Sequence, residues 1–406
     1  TSRRQRQMCI RDRSIYFIIV MKILLINHYA GSPNLGMEFR PYYVTKGWVK
    51  LGHEVLIVGG SYSHLRKVQP QSCEEMIDDM RYRWVKVNPY KGNGIGRIIS
   101  MFSFVTKLYC NYRRYLRNFK PDIVIASSTY PLDIYPAYRI ARHYHAKLIY
   151  EVHDLWPLSP MELGGYSKKH PFIRIMQKAE DDCYRYADAV VSMLPKAEEH
   201  MREHGLTRDK FHYVPNGIVL SDWNNPKGIP EEHGLLLSKL RAEGKFIVGF
   251  AGAHGIANSL YAVIDAVSSL TEQNVVLVLV GGGQEKENLI KYAHKKGVTN
   301  VYFLLPINKL AIPNLLKEMD VLYIGLQKQS LFRFGISPNK MFDYMMAAKP
   351  IIQAIDAGNN LVREADCGID VEPDNVSEIS KAILALKSMS EEERRKLGEN
   401  GKKFVL

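Results

Sequence analysis

The segment FIVGFAGAHGIANSLYAVIDAVSSLTEQNVVLVLVGGG, residues 246 to 283, reads as strand, glycine turn, helix and strand. Phe246 to Ala251 and Val275 to Val280 are nearly unbroken apolar runs, the pattern of parallel strands covered on both faces. Between them, Ser259 to Leu270 repeats its apolar residues at helical spacing. Two parallel strands require such a crossover, so the segment predicts a βαβ unit. The same rhythm continues outward. Glu285 to Lys296 reads as a helix, and Val301 to Leu304, Val321 to Ile324, Pro350 to Gln353 and Gly368 to Val371 read as further strands. On the N-terminal side strands fit Lys22 to Asn27, Glu54 to Val58, Arg83 to Val87, Ile123 to Ser127, Lys147 to Val152, Ala189 to Met193 and Phe211 to Val214. The expected fold is α/β, with two doubly wound parallel sheets.

The Pro-, Gly- and Asn-rich segment VPNGIVLSDWNNPKG at 214 to 228 interrupts this rhythm and reads as the linker. It divides the chain into an N-terminal domain, 21 to 215, and a C-terminal domain, 216 to 406. Residues 1 to 20 combine RRQRQ with an apolar stretch but show no small-residue cleavage site, so they read as a non-native leader ahead of Met21. Five cysteines with no CxxC imply neither a disulfide framework nor a zinc site. The formal net charge is +13; residues 21 to 215 hold an excess of nine positive charges, whereas 216 to 406 are neutral. That excess peaks at 97 to 120, where Arg97, Lys107, Arg113, Arg114, Arg117 and Lys120 alternate with aromatic residues. At helical spacing this gives an apolar face and a cationic face. The pattern suits an anionic membrane surface, or a core helix with a solvated outer face. No nucleic-acid recognition module accompanies it, so a nucleic-acid partner is not expected.

Two separated segments carry the chemistry. EVHDLWP at 151 to 157 places His153 and Asp154 at the end of a strand, and GISPNKMFDYMMAAKP at 335 to 350 places Ser337, Asn339, Lys340 and Asp343 at the start of a helix. Polar groups at strand-to-helix edges in both halves predict a site between domains. The turns Gly31 to Gly36, Gly252 to Gly255 and Gly281 to Gly283 each follow an apolar strand, so their N–H groups suit a phosphate-bearing ligand. None forms G-x-G-x-x-G with a following ribose carboxylate, which argues against a nicotinamide dehydrogenase. His28 and His254 follow the first strands of their domains and line a cleft or sit as satisfied loop residues. The acidic AEDDC stretch at 179 to 183 reads as the solvated face of a helix, not a metal site.

Taken together, Gly36 and Arg40, GHEVLIV at 52 to 58, HDLWP at 153 to 157, VPNGI at 214 to 218, VGFAG at 248 to 252 and SPNKMFDYMMAAKPII at 337 to 352 resemble retaining glycosyltransferases of family 4. The resemblance is to bacterial fucosamine-type or O-antigen sugar transferases, and it implies the GT-B architecture of two facing Rossmann-like domains. It also implies that the first domain binds the acceptor and the second a nucleotide-sugar donor. The family's late pair of glutamates, separated by seven residues, falls on Gly335 and Asp343, and its basic pair falls on Ala253 and Asn258. Lys340 is then the expected partner of the donor diphosphate, with Lys328 and Arg333 as further cations and with Gly252, His254, Asn258, Ser337, Asn339, Gly36 and Arg40 around the donor.

Transfer builds positive charge on the sugar and negative charge on the departing diphosphate. A lysine and helix-start amides suffice for that, so neither metal nor cofactor is expected. His153 is expected at the reacting carbon, and Asp154 is expected to orient it or the acceptor hydroxyl. The implied activity moves a sugar from a nucleotide donor, UDP-linked by this reading, to a polyprenyl-diphosphate-linked glycan in surface polysaccharide assembly. It would take place at the cytoplasmic, inner face of the plasma membrane, with 97 to 120 docked on the anionic surface. A nucleotide-sugar 2-epimerase of the same architecture, or an assembly scaffold that has lost catalysis, are the alternatives. The C-terminal GENGKKFVL stops where relatives usually continue into a helix crossing back to the first domain.

Overall fold

Residues 20–36, 39–92 and 94–406 are described by a computed structural model, so all of the expected leader but Val20 lies outside the described residues. Eight strands build one sheet: β1 (Lys22–Ile26), β2 (Glu54–Gly60), β3 (Glu74–Ile77), β4 (Met80–Val85), β5 (Ile123–Ala126), β6 (Lys147–Val152), β7 (Ala189–Ser192) and β8 (Phe211–Tyr213). Six build the other: β9 (Phe246–Ala251), β10 (Val275–Val280), β11 (Val301–Leu304), β12 (Val321–Gly325), β13 (Ile351–Ala354) and β14 (Gly368–Val371). The orders are β3-β4-β2-β1-β5-β6-β7-β8 and β11-β10-β9-β12-β13-β14.

Two compact units emerge from the packing. One holds the described residues up to Tyr150 with Tyr186–Asp188; the other holds Glu151–Arg185 and Ala189–Leu406, including the 214–228 segment.

In the six-stranded sheet every pairing is parallel, and counted from β9 the order is 3-2-1-4-5-6. Alternation along β9 sends Phe246, Val248 and Phe250 to one face, where they pack with Val263, Val267 and Ile383 from the helices Leu260–Ser268 and Val376–Ser388. Ile247 and Ala251 face the other side, against Leu315, Met341 and Met345. Both faces are covered, which is why β10 has no polar position. The winding reverses between β9 and β12. The carboxyl ends of the strands at such a reversal are the usual ligand position in sheets of this kind.

In the eight-stranded sheet the corresponding reversal lies between β1 and β5. One strand escaped the sequence reading. β3 pairs antiparallel with β4 through a two-residue turn in which Asp78 and Asp79 both take positive φ.

The basic aromatic segment forms the helix Ile95–Leu116, with a break at Asn111. Phe104, Leu108 and Tyr112 are buried in the unit's own core, as is Phe119 beyond the helix, while Arg113, Arg114, Arg117 and Lys120 are exposed. The aromatic face is therefore a core face, and the cationic face is the solvated one. Among the described residues no helix is long and apolar enough to cross a membrane.

Candidate active site

At the β9–β12 reversal, β9 ends at Ala251 and the chain turns through Gly252–Ser259 into the helix Leu260–Ser268. Against this turn lies the Gly281–Gly283 loop that follows β10. The His254 N–H donates to the Gly282 carbonyl (2.8 Å), and the Glu285 N–H donates to the His254 carbonyl (2.9 Å). The approach is so close that a Cβ at Gly281 would stand 1.9 Å from the Gly252 oxygen, and one at Gly283 would stand 2.4 Å from the His254 oxygen. Only glycine permits two backbones to stack this way.

Lys340, in the first turn of the helix Asn339–Met346, reaches into this corner. Its ammonium donates to the Asn258 side-chain oxygen and lies 4.6 Å from the centre of the Phe250 ring. A Cβ placed on Gly252 would be 3.6 Å from the ammonium nitrogen. Burial pulls the Lys340 ammonium down to about 8. Among the described residues it has no carboxylate partner.

His254 is fully buried, and among the described residues neither ring nitrogen meets a hydrogen-bond partner. Burial, reinforced by the charges of Lys286 and Lys340, lowers it to about 4, so the ring is neutral at physiological pH. Lys286 spends its ammonium on the carbonyls of Gly281 (2.9 Å) and Leu304 (2.7 Å), bracing the glycine loop.

Asp343 lies three residues after Lys340 and is partly buried. Burial raises its carboxyl, while the charge of Lys309 and a hydrogen bond from the Trp223 side chain act in the opposite direction. Ser337 closes the motif onto the 214–217 turn. Its hydroxyl oxygen accepts from the Asn216 N–H (2.8 Å), and its carbonyl accepts from the Asn216 amide (2.7 Å). Asn339 is the exposed first residue of the helix.

Gly335, where the resemblance would place a glutamate, has φ of 98°, and a Cβ there would stand 2.5 Å from Pro195 Cδ. The local backbone leaves no room for the family's side chain.

The remaining predicted cations sit differently. Lys328 is exposed and pairs with Asp356 at 2.8 Å. Arg333 makes a two-point pair with Glu162, at 2.6 and 2.9 Å, and also donates to the Ser330 carbonyl. Both therefore face carboxylates, unlike Lys340. In the first unit, Gly36 bridges to Ser32 and Arg66 in the turn after β1, and Arg40 lies partly buried in the first turn of the helix Phe39–Lys50. His28, at the β1–β5 reversal, is fully buried between Tyr29 and Phe104, with Nδ1 2.7 Å from the Tyr130 hydroxyl.

His153 follows β6 and is largely buried beside Glu151, its Nε2 3.2 Å from Glu151 Oε2. Sequence reasoning missed Glu151. Its signal was the two-residue spacing that puts both side chains on one face of a strand. Asp154 accepts from the Trp156 indole (3.1 Å) and from the Ser159 hydroxyl, so its carboxylate orders the turn into the helix Leu158–Gly164.

The acidic stretch 179–183 corrects the expectation of a solvated face. Glu180 and Asp182, on the helix Pro171–Tyr186, are 1% and 2% exposed. Period-3.6 reasoning put the charges outward because it could not see His200, from the helix Glu198–Glu203, set against Glu180 at 3.2 Å.

Comparison with known proteins bears on the family and the fold. Residues 36–217 match the model of a glycosyl transferase 4-like domain, and 237–404 match that of glycosyl transferases group 1. A Bacillus subtilis (strain 168) protein named "Putative teichuronic acid biosynthesis glycosyltransferase TuaH" is 24% identical over 215 residues, 51% of this chain and 50% of that protein. The chain thus spans about half the length of that curated relative. Among solved structures, sucrose-phosphate synthase from Thermosynechococcus elongatus superposes with a TM-score of 0.70 at 15% identity, covering 95% of this chain and 94% of that one. Anabaena HepE in complex with UDP-glucose gives 0.62 at 16% identity, over 95% and 94%. The chain is a glycosyltransferase of the GT-B fold, built from a glycosyl transferase 4-like domain followed by a group 1 domain.

Proposed function

We propose that this enzyme transfers a sugar, with retention of anomeric configuration, from a UDP-linked donor to a polyprenyl-diphosphate-linked glycan in bacterial surface polysaccharide assembly. The observation that carries the reading is Lys340. It is a partly buried ammonium with no opposing carboxylate among the described residues, held at the β9–β12 reversal beside glycine turns and the ring of His254. Such a cation is costly to keep unless an anion completes it. A donor diphosphate carries the right charge. As the bond to the sugar breaks, its growing negative charge strengthens the interaction, which is how electrostatic preorganisation accelerates a reaction.

Asp343 is assigned to the donor's hydroxyl groups, and His153, oriented by Glu151, to the reacting centre. Asn258, Gly252, Ser337 and Asn339 shape the donor pocket. The UDP assignment draws on the UDP-glucose bound to HepE, and the surface-polymer assignment on the name of the Bacillus relative. The exposed Arg113, Arg114, Arg117 and Lys120 support docking on the anionic inner face of the plasma membrane by charge rather than insertion. Equal flotation with neutral and anionic vesicles would remove that last assignment.

The test of the activity is turnover with a panel of UDP-sugars and lipid-linked acceptors. Consumption of a donor only when acceptor is present is expected. Consumption without acceptor would favour epimerisation, and no consumption together with no UDP binding would overturn the reading.

A further inference from the structure

Two helices of the second unit bring an unassigned set of ligating groups together. The helix Pro171–Tyr186 carries Glu180 and Asp181; the helix Glu198–Glu203 carries His200, with His204 as its C-cap. His200 and His204 are four residues apart, so their imidazoles share a helix face, with ring centres 4.7 Å apart. One ligand atom from each of Glu180, His200 and His204 lies within 4.8 Å of the other two. We propose that Glu180, His200 and His204 form a binding site for a zinc-class divalent cation.

The chemistry of the set favours that class. Two imidazoles and one carboxylate suit zinc and its neighbours, whereas magnesium and calcium select all-oxygen sets. The geometry is already near what the ion needs. His200 Nε2 and Glu180 Oε1 are 3.2 Å apart, close to the ~3.3 Å edge of a tetrahedron built on bonds of about 2.0 Å.

The outer groups are those that such a site uses to orient its ligands. Glu180 is almost wholly buried and accepts from the Tyr184 hydroxyl (2.9 Å) and the Gln177 amide (2.8 Å), which fix its plane. His204 Nδ1 lies 2.9 Å from Asp181 Oδ1 and 2.8 Å from the Gln177 amide nitrogen. A metal bound at Nε2 would select the tautomer whose Nδ1–H donates to Asp181, leaving the Gln177 amide to Glu180.

The fourth position has somewhere to open. His200 and His204 line a cavity of about 890 Å³, whose walls include Lys168, Arg174 and Lys178. A water, or a carboxylate or phosphate oxygen, would occupy the open position there. The competing account is a protonated His200 simply paired with Glu180, with no ion involved.

Untagged protein stripped with chelator and dialysed is titrated with zinc by calorimetry, and with cobalt(II) by visible absorption. One equivalent of tight zinc, a tetrahedral-type cobalt spectrum and a zinc-dependent rise in Tm are expected. His204→Ala, at a partly exposed position, is expected to weaken zinc by roughly a hundredfold and Asp181→Asn by about tenfold, with circular dichroism unchanged. Absence of stoichiometric zinc binding by the wild-type protein would overturn the proposal. So would equal binding by His204→Ala, or by a His200→Gln variant kept as a second probe of the same set.

Discussion

The ammonium of Lys340 donates to the side-chain oxygen of Asn258, 82 residues earlier in the chain. The resemblance to family 4 puts a basic residue at 258; here the positive charge comes from the late helix instead, and Asn258 receives it. A cation thus stands at this loop, supplied by the late helix.

A charge held in this way opposes folding. Lys340 is lowered from 10.5 to about 8, so the unfolded chain holds that proton more tightly than the folded one. The penalty is complete below about pH 8 and fades as pH climbs toward the free-lysine value. Lys340→Met is expected to stabilise the ligand-free enzyme by about 1–3 kcal/mol at neutral pH, with the gain shrinking at alkaline pH. Chemical denaturation at two pH values checks this.

The same titration predicts the pH dependence of donor affinity. A UDP-sugar carries no ionisation of its own near pH 8, so its affinity should be flat below that and fall above it, by up to about tenfold per unit. Calorimetry across this range is expected to give a sloping profile for wild type and a flat, weaker one for Lys340→Met.

Glu151 and His153 form the second pair to probe. Glu151→Gln keeps the shape but removes the charge that orients and supports the imidazole. A fall in kcat of roughly tenfold to a hundredfold is expected, with UDP affinity unchanged. Loss of UDP binding in step with kcat would place Glu151 in the donor pocket instead.

Gly335→Glu restores the family's residue and is expected to harm the protein. The positive φ and the approach of Pro195 make the substitution cost about 2–4 kcal/mol, read as a lower denaturation midpoint with an unchanged slope. Gly335→Ala should show a smaller loss in the same direction.

Much of the architecture was legible because parallel strands buried on both faces are written as apolar runs. β6, β9, β10, β11 and β14 fall on the residues that the pattern marks. β3 was not legible: EEMI is short, half polar and lies at a sheet edge, so neither length nor periodicity set it apart. The family resemblance singled out Lys340 as an expectation, whereas its contact with Asn258 was not legible, since sequence spacing carries no information about which loops a doubly wound sheet brings to one reversal. Glu180 was misjudged for a related reason. Helical periodicity says which residues share a face, but not whether another helix covers it.

The central claim, that Lys340 holds the donor diphosphate, is tested most directly by titrating UDP into the wild-type enzyme and into Lys340→Ala. One UDP per chain is predicted for wild type, with affinity weakened roughly tenfold to a hundredfold in the variant, the range of a lost charge-assisted hydrogen bond. Equal affinity in the two proteins, or no binding by wild type, would contradict it.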